Sequence, residues 1–302
     1  MKAVVMHEYG GPEVLKYEGF ADPVPIKGEV LIRVAAASIN PVDLLQRSGE
    51  TRSYMPVEFP GVIGWDVSGT VIGLGADVRE FSVGDRVFAW AFHTYAELCA
   101  VKTTILAKIP DGIDLVDAAA LPLVTMTGSQ LISVASGVKP GQTVLVSGAA
   151  GSVARAAVRT AKDKGAIVIA GVLKRQLDQA KDTGADQVVA LDDKAAFDSL
   201  AAVDIVANTV RGTTAEQLLS KVKDGGTFAS VTGVPESAKN YLSIRTVAFV
   251  SKQDPETLLY MAKAVRDGKL RIPISQKLPL QEARQGHVAF AKGAGGKILL
   301  LA

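Results

Sequence analysis

Val144-Leu145-Val146-Ser147-Gly148-Ala149-Ala150-Gly151-Ser152-Val153-Ala154 has the pattern of a buried β-strand driven into a turn of small residues that opens a helix. At a helix N-terminus the first backbone N–H groups lack intrahelical acceptors and the helix dipole favours negative charge. That geometry suits the pyrophosphate of a dinucleotide. The spacing Gly148-x-x-Gly151-x-x-Ala154 is looser than the full G-x-G-x-x-G/A pattern. Small residues also serve a tight turn and close helix–strand packing for purely structural reasons, so the fragment alone leaves both readings open. The flanks favour the nucleotide. Ala156, Ala157, Val158 and Ala161 recur at helical spacing, Lys164-Gly165 is a stop, and Ala166-Ile167-Val168-Ile169-Ala170-Gly171 is a second apolar strand. Strand, turn, helix and strand within about thirty residues make a βαβ unit.

The end of that second strand bears on the cofactor. An NAD site usually places an acid about twenty residues beyond the glycines to hold the ribose 2′-hydroxyl, whereas a 2′-phosphate needs positive charge. Here the segment is Gly171-Val172-Leu173-Lys174-Arg175-Gln176, and the first acid is Asp178. Lys174 and Arg175 are therefore expected to face the 2′-phosphate of NADPH, the competing reading being a solvated basic face.

At 302 residues the chain exceeds the usual single-domain size, and 48% apolar with 21% charged residues describe an ordinary globule with a real core. Lys and Arg number 33 against 31 Asp and Glu, a formal charge of +2. That balance gives no field for nucleic acid or an anionic membrane, so neither partner is expected. No uninterrupted apolar run reaches membrane-span length, and the N-terminus lacks a secretory pattern. The single Cys99 excludes an intrachain disulfide, and its alternating surroundings suit a packed strand. The expected location is cytoplasmic.

Residues 1 to about 118 read as β-rich, with short strand-like runs at Lys2–Met6, Glu29–Ala36, Asp66–Ile72, Arg86–Ala89 and Tyr95–Val101 between Gly, Pro and Asp turns. From about Asp117 to Val250 strands alternate with helices. Thr143–Ser147, Ile167–Gly171, Gln187–Ala190, Asp204–Asn208, Thr227–Val231 and Thr246–Val250 are six candidate strands, the number a doubly wound dinucleotide-binding sheet needs. A helix over Pro255–Asp267 and a strand over Lys297–Leu301 follow. The fold class is α/β.

Several further landmarks carry a family resemblance across the whole chain. They are Ser38-Ile39-Asn40-Pro41-Val42-Asp43, Phe59-Pro60-Gly61-Val62-Ile63-Gly64-Trp65-Asp66-Val67-Ser68-Gly69, Val83-Gly84-Asp85-Arg86-Val87, Ala118-Ala119-Ala120-Leu121-Pro122-Leu123 through Thr127, and Gly295-Gly296-Lys297-Ile298. In this order the chain resembles the medium-chain dehydrogenase/reductase superfamily, in its zinc-free quinone oxidoreductase (zeta-crystallin-like) branch. The resemblance implies a GroES-like β-rich catalytic domain from residues 1–118 and 252–302, a Rossmann domain over 119–251, an active site in the cleft, and a homodimer joined through the edges of the dinucleotide sheets. It also implies NADPH-dependent hydride transfer to quinones or α,β-unsaturated carbonyls. A stand-alone enoyl reductase of the same fold and a non-catalytic NADPH-binding protein are the alternatives.

By that resemblance Asn40 and Asp43 match the N-P-x-D positions near nicotinamide and substrate, where a turn-and-cap role competes. Tyr54 is the nearest candidate for a cleft tyrosine, and all three are the expected catalytic set. Thr127 resembles a threonine that approaches the cofactor. Gly148, Ala149, Gly151, Ser152 and Val153 form the turn, Asn208 and Thr209 match the end of the fourth strand with Asn in place of Asp, and Val231, Thr232, Phe249 and Val250 match strand ends lining the cofactor. Ser152, Ala154, Leu44 and Leu191 depart from the family pattern. Zinc relatives carry Cys and His where this chain has Asn40 and Trp65, and one Cys with three scattered His residues cannot build the usual zinc sites. No metal is expected.

Overall fold

A computed structural model describes residues 1–302. The chain folds into two compact units, Met1–Leu123 with Gln253–Arg266 and Ile272–Ala302, and Val124–Lys252 with Asp267–Arg271. The first unit begins with β1 (Lys2–Met6), β2 (Lys16–Gly19), β3 (Glu29–Ser38), α1 (Pro41–Ser48), β4 (Gly61–Val62), β5 (Asp66–Leu74), β6 (Arg86–Trp90), β7 (Leu98–Lys102) and β8 (Leu106–Lys108). Helix α2 (Pro122–Gln130) leads into β9 (Thr143–Ser147), α3 (Ser152–Asp163), β10 (Ile167–Val172), α4 (Leu177–Ala180), β11 (Gln187–Ala190), α5 (Lys194–Ser199), β12 (Val203–Asn208), α6 (Thr213–Leu218), β13 (Val222–Ser230) and β14 (Arg245–Ala248). The tail forms α7 (Pro255–Arg266), β15 (Ile274–Pro279), α8 (Ala283–Ala291) and β16 (Lys297–Leu301).

In the second unit the six strands are parallel in the order β11-β10-β9-β12-β13-β14. The chain leaves β9 in one direction through β10 and β11, then returns to the other side of β9 with β12. That reversal makes β9/β12 the topological switch point, where doubly wound sheets bind ligands beyond the strands' carboxyl ends. One core packs Val144, Val146, Val168 and Ala170 with Ala157, Val158 and Ala161 of α3. The other packs Leu145, Ile169, Val206 and Phe228 with Leu218 and Leu219. Apolar residues on both faces explain why these strands are continuous apolar runs, not alternating ones.

The first unit holds a seven-stranded sheet, ordered β15-β16-β3-β5-β6-β8 with β7 also on β3, and a small sheet β2-β1-β4. Strand β16 from the tail runs antiparallel to β3, placing Leu299 opposite Ser38, and β5 pairs with β3 so that Asp66 also lies opposite Ser38. The stretch Asp117–Ser136 is long and apolar enough to cross a membrane, but most of it is buried within the protein, as a core helix is. No uninterrupted apolar run is present there, because Thr125, Thr127, Ser129 and Gln130 supply the interruptions.

Candidate active site

In the second unit, β9 ends at Ser147 and the chain turns at Gly148 with φ 66°. A Cβ there would lie 2.7 Å from Thr209 Oγ1 and 2.9 Å from Val210 Cγ1, so the position needs glycine for space as well as for its left-handed backbone. Gly151 is the N-cap of α3 and supplies no side-chain cap, which leaves the N–H groups of Ser152 and Val153 open at the positive end of a three-turn helix. A Cβ on Gly151 would meet only the Gly148 carbonyl, at 3.2 Å. These features fit a dinucleotide pyrophosphate. Ala149 plays a different part, since its N–H donates to the Gly171 carbonyl at 3.0 Å and ties the turn to β10.

Arg155, which no sequence motif singles out, braces this turn. It is 3% exposed; its Nε donates to the Ala150 carbonyl at 3.1 Å, Nη1 to Asp182 at 2.7 Å, and Nη2 to the Gln179 carbonyl. Beyond β10, Lys174 and Arg175 are both exposed. Lys174 Nζ pairs with Asp193 Oδ2 at 2.9 Å and its backbone N–H donates to Asp192 Oδ1 at 2.6 Å, so acids absent from the local sequence arrive from the end of β11.

Asn208 closes the switch point. Its Oδ1 accepts from the Ser147 hydroxyl at 2.8 Å and the Val210 N–H at 3.3 Å. Its Nδ2 donates to the Val210 carbonyl at 2.7 Å, with Ser230 Oγ at 3.0 Å and Thr232 Oγ1 at 3.3 Å. The amide both donates and accepts here, which an ionised carboxylate could not do. Thr209 donates from Oγ1 to the Ser147 carbonyl at 2.8 Å, and Thr232 from Oγ1 to the Val210 carbonyl at 2.8 Å. Thus Asn208, Thr209 and Thr232 meet the turn, stitching the ends of β9, β12 and β13. Thr127 lies elsewhere in this unit, hydrogen-bonded to Ser251 at 2.8 Å. Val231 and Phe249 pack against the core, while Val250 is 84% exposed.

In the first unit Asn40 is the N-cap residue of α1; its N–H donates to Asp43 Oδ2 at 2.7 Å, one half of a capping box, while the Asn40 side chain makes no cap hydrogen bond. Both side chains are buried, Asn40 at 1% and Asp43 at 0% exposure. The Asn40 amide is consumed by its neighbours: Nδ2 donates to Asp66 Oδ2 at 2.8 Å and the Ser38 carbonyl at 3.3 Å, and Oδ1 accepts from Lys297 Nζ at 2.7 Å. Lys297, 3% exposed, also donates to the Ile39 carbonyl and to Asp66 Oδ2, each at 3.2 Å. All its protons therefore have acceptors. Burial pushes the Lys297 pKa down, and Asp66 and Asp43 oppose that.

Asp43 is linked in the other direction. Its Oδ2 accepts from the Tyr95 hydroxyl at 3.0 Å, the Tyr95 oxygen lies 3.2 Å from His287 Nε2, and His287 Nδ1 lies 3.2 Å from Arg47 Nη1. The guanidinium only donates, so Nδ1 accepts and the proton of neutral His287 is assigned to Nε2. Tyr95 then accepts from His287 and donates to Asp43. Burial pushes Asp43 up to about 7 and, with the Arg47 charge, His287 down to about 3. Asp43 Oδ1 has no hydrogen-bond partner.

The structure thus brings Asn40 and Asp43 together. Tyr54 is 74% exposed in the loop after α1 and outside this network; the buried tyrosine is Tyr95. Asp66 and Lys297 lie within the family motifs, and a lysine heading the apolar run Ile298-Leu299-Leu300-Leu301 is the signal that marks it. Tyr95, His287 and Arg47 carry no such signal. Trp65 stacks on Trp90 with centroids 5.7 Å apart, meets Phe92 edge-on at 4.9 Å, and donates from Nε1 to Gln46 at 3.2 Å.

Residues 26–111 match the family model for the alcohol dehydrogenase GroES-like domain, and residues 183–300 that for a zinc-binding dehydrogenase. The chain is 30% identical over 325 residues to a chloroplast envelope quinone oxidoreductase homolog of Arabidopsis thaliana, covering 99% of this chain and 98% of that one. It is 29% identical to an NADPH-dependent alkenal/one oxidoreductase, chloroplastic, of Arabidopsis thaliana, covering 94% and 74%. The crystal structure of Escherichia coli quinone oxidoreductase complexed with NADPH superposes with a TM-score of 0.87 at 26% identity, covering all of both chains. A GroES-like unit and a doubly wound dinucleotide sheet define the class as dehydrogenase/reductase. The chain belongs to the quinone oxidoreductases of the medium-chain dehydrogenase/reductase superfamily. Despite the second family model's description, the residues do not fit a zinc ion: no three His, Cys, Asp or Glu side chains converge in a metal-holding group.

Proposed function

We propose that this protein is an NADPH-dependent, zinc-independent oxidoreductase that transfers hydride to quinones or enones. The observation that carries the reading is the turn at Gly148–Ser152, a glycine-capped helix N-terminus at the sheet's switch point. The relatives described as quinone oxidoreductase and alkenal/one oxidoreductase support the acceptor class.

NADPH bound at this turn would supply the hydride. The chain's own contribution is to bind and orient: Ser152 and Val153 offer N–H groups to the pyrophosphate, Arg155 holds the turn from behind, and Lys174 and Arg175 face the 2′-phosphate. Asn208, Thr209, Thr232, Thr127, Val231, Phe249 and Val250 shape the nicotinamide side. Asn40 and Asp43 anchor the substrate-side network, and Tyr54 is the exposed hydroxyl available as proton donor. A quinone or enone carbonyl delocalises the incoming charge, so no Lewis-acid metal is required. The reading includes a cytoplasmic homodimer.

Loss of NADPH absorbance across a panel of quinones and enones tests the proposal. Turnover is expected on at least one class and is unchanged after chelator treatment. Cofactor binding without turnover on any acceptor favours a non-catalytic NADPH-binding protein.

A further inference from the structure

Lys174 and Arg175 adjoin in sequence but differ in their surroundings. Lys174 Nζ is bonded to Asp193 Oδ2 at 2.9 Å, and Asp192 takes its backbone N–H at 2.6 Å. The hydrogen bond and charge of Asp193, with Asp192 adding, raise the Lys174 pKa. Arg175 is exposed and has no ion-pair partner. Asp193 is also fixed from its other side, because its Oδ1 caps α5 and accepts from the N–H groups of Ala195 and Ala196 at 3.1 and 3.2 Å. The helix it caps therefore keeps its carboxylate beside Lys174. An incoming phosphate dianion must share the ammonium with a fixed negative charge.

We propose that Asp193 is a specificity-determining residue. By occupying Lys174 it narrows the preference for a 2′-phosphorylated dinucleotide over the unphosphorylated one and leaves discrimination to Arg175. This rests on the reading above that the basic pair faces the 2′-phosphate. Arg175 suits that role, since its planar fork binds phosphate bidentately and stays charged.

Asp193→Asn tests this with little structural cost, because Asn and Asp cap helices about equally well. The measurement is the dissociation constant of NADPH and of NADH, read from nicotinamide fluorescence, for the wild type, D193N, K174Q, R175Q and D193N/K174Q. D193N is expected to tighten NADPH about fivefold, the scale of an exposed charge pair, and to leave NADH unchanged. K174Q should abolish the gain, and R175Q should weaken NADPH more than K174Q does. Unchanged or weaker NADPH binding by D193N overturns the proposal, as does a gain that persists without Lys174. If neither K174Q nor R175Q alters the NADPH-to-NADH ratio, the placement of the 2′-phosphate fails and the role of Asp193 with it. A wild type that binds neither dinucleotide refutes the proposed function itself.

Discussion

Asp43 and His287 lie on either side of the Tyr95 hydroxyl, and burial moves their proton affinities in opposite directions. Asp43 is raised from 3.8 to about 7, so between those values the folded chain holds a proton that the unfolded chain releases. Its contribution to stability falls as pH rises through that window. His287 is lowered from 6.5 to about 3, and its contribution rises with pH between those values. Each slope is at most about 1.4 kcal/mol per pH unit, and the two oppose each other where the windows overlap. Asp43→Asn is expected to leave His287 unopposed, making stability climb from pH 3.8 to 6.5. His287→Gln should leave Asp43 unopposed, making stability fall over the same range. Urea midpoints across pH check both; parallel profiles for the two variants would refute the opposition. The Asn40–Asp43 contact is legible in the sequence because N-cap and N3 are three residues apart. Tyr95 stands 52 positions from Asp43 and His287 another 192 beyond it, distances no local pattern bridges.

At the scale of elements, the strand–turn–helix at 143–163 follows from nearby residues alone: an apolar run, a turn of small residues, and an amphipathic helix whose alanines face the sheet. Gly148→Ala tests the turn. A left-handed alanine costs about 1–2 kcal/mol, and the added Cβ presses on Thr209 and Val210. We expect a lower melting temperature and at least about tenfold weaker NADPH binding; a variant equal to wild type in both would show that neither the left-handed turn nor its close packing matters. Elements whose limits depend on distant partners are less legible. Tyr95, expected within a strand, lies outside β7: its N–H pairs with the Ile63 carbonyl and its carbonyl with the Val4 N–H. Strand β13 begins at Val222, ahead of the expected Thr227, where its pairing with β12 is irregular. The edge strand β15 lacks alternation, so its sequence carries no strand signal.

For the whole molecule, Lys297 is the clearest case of a residue whose meaning is tertiary. It joins the returning tail to β3 and β5 through a buried pair with Asp66, the two side chains 4% and 0% exposed. Such a pair gains little over apolar packing, but removing one partner strands the other charge. Lys297→Met is expected to cost about 3–5 kcal/mol, and Asp66→Asn added to it should restore part of that. Denaturant titration of both variants decides; a double variant no more stable than the single would mean the two charges are not coupled.

What the sequence by itself determined were the α/β class, the βαβ unit and its glycine turn, and the family, because periodicity, turn chemistry and ordered motifs are local properties. Only the tertiary structure decided that Asn40 is spent on a buried ion pair, that Tyr95 and not Tyr54 meets Asp43, and that Asp193 sits on Lys174. Hydrogen bonds and charge pairs act over a few ångströms of space, and folding brings together residues that the chain keeps tens to hundreds of positions apart.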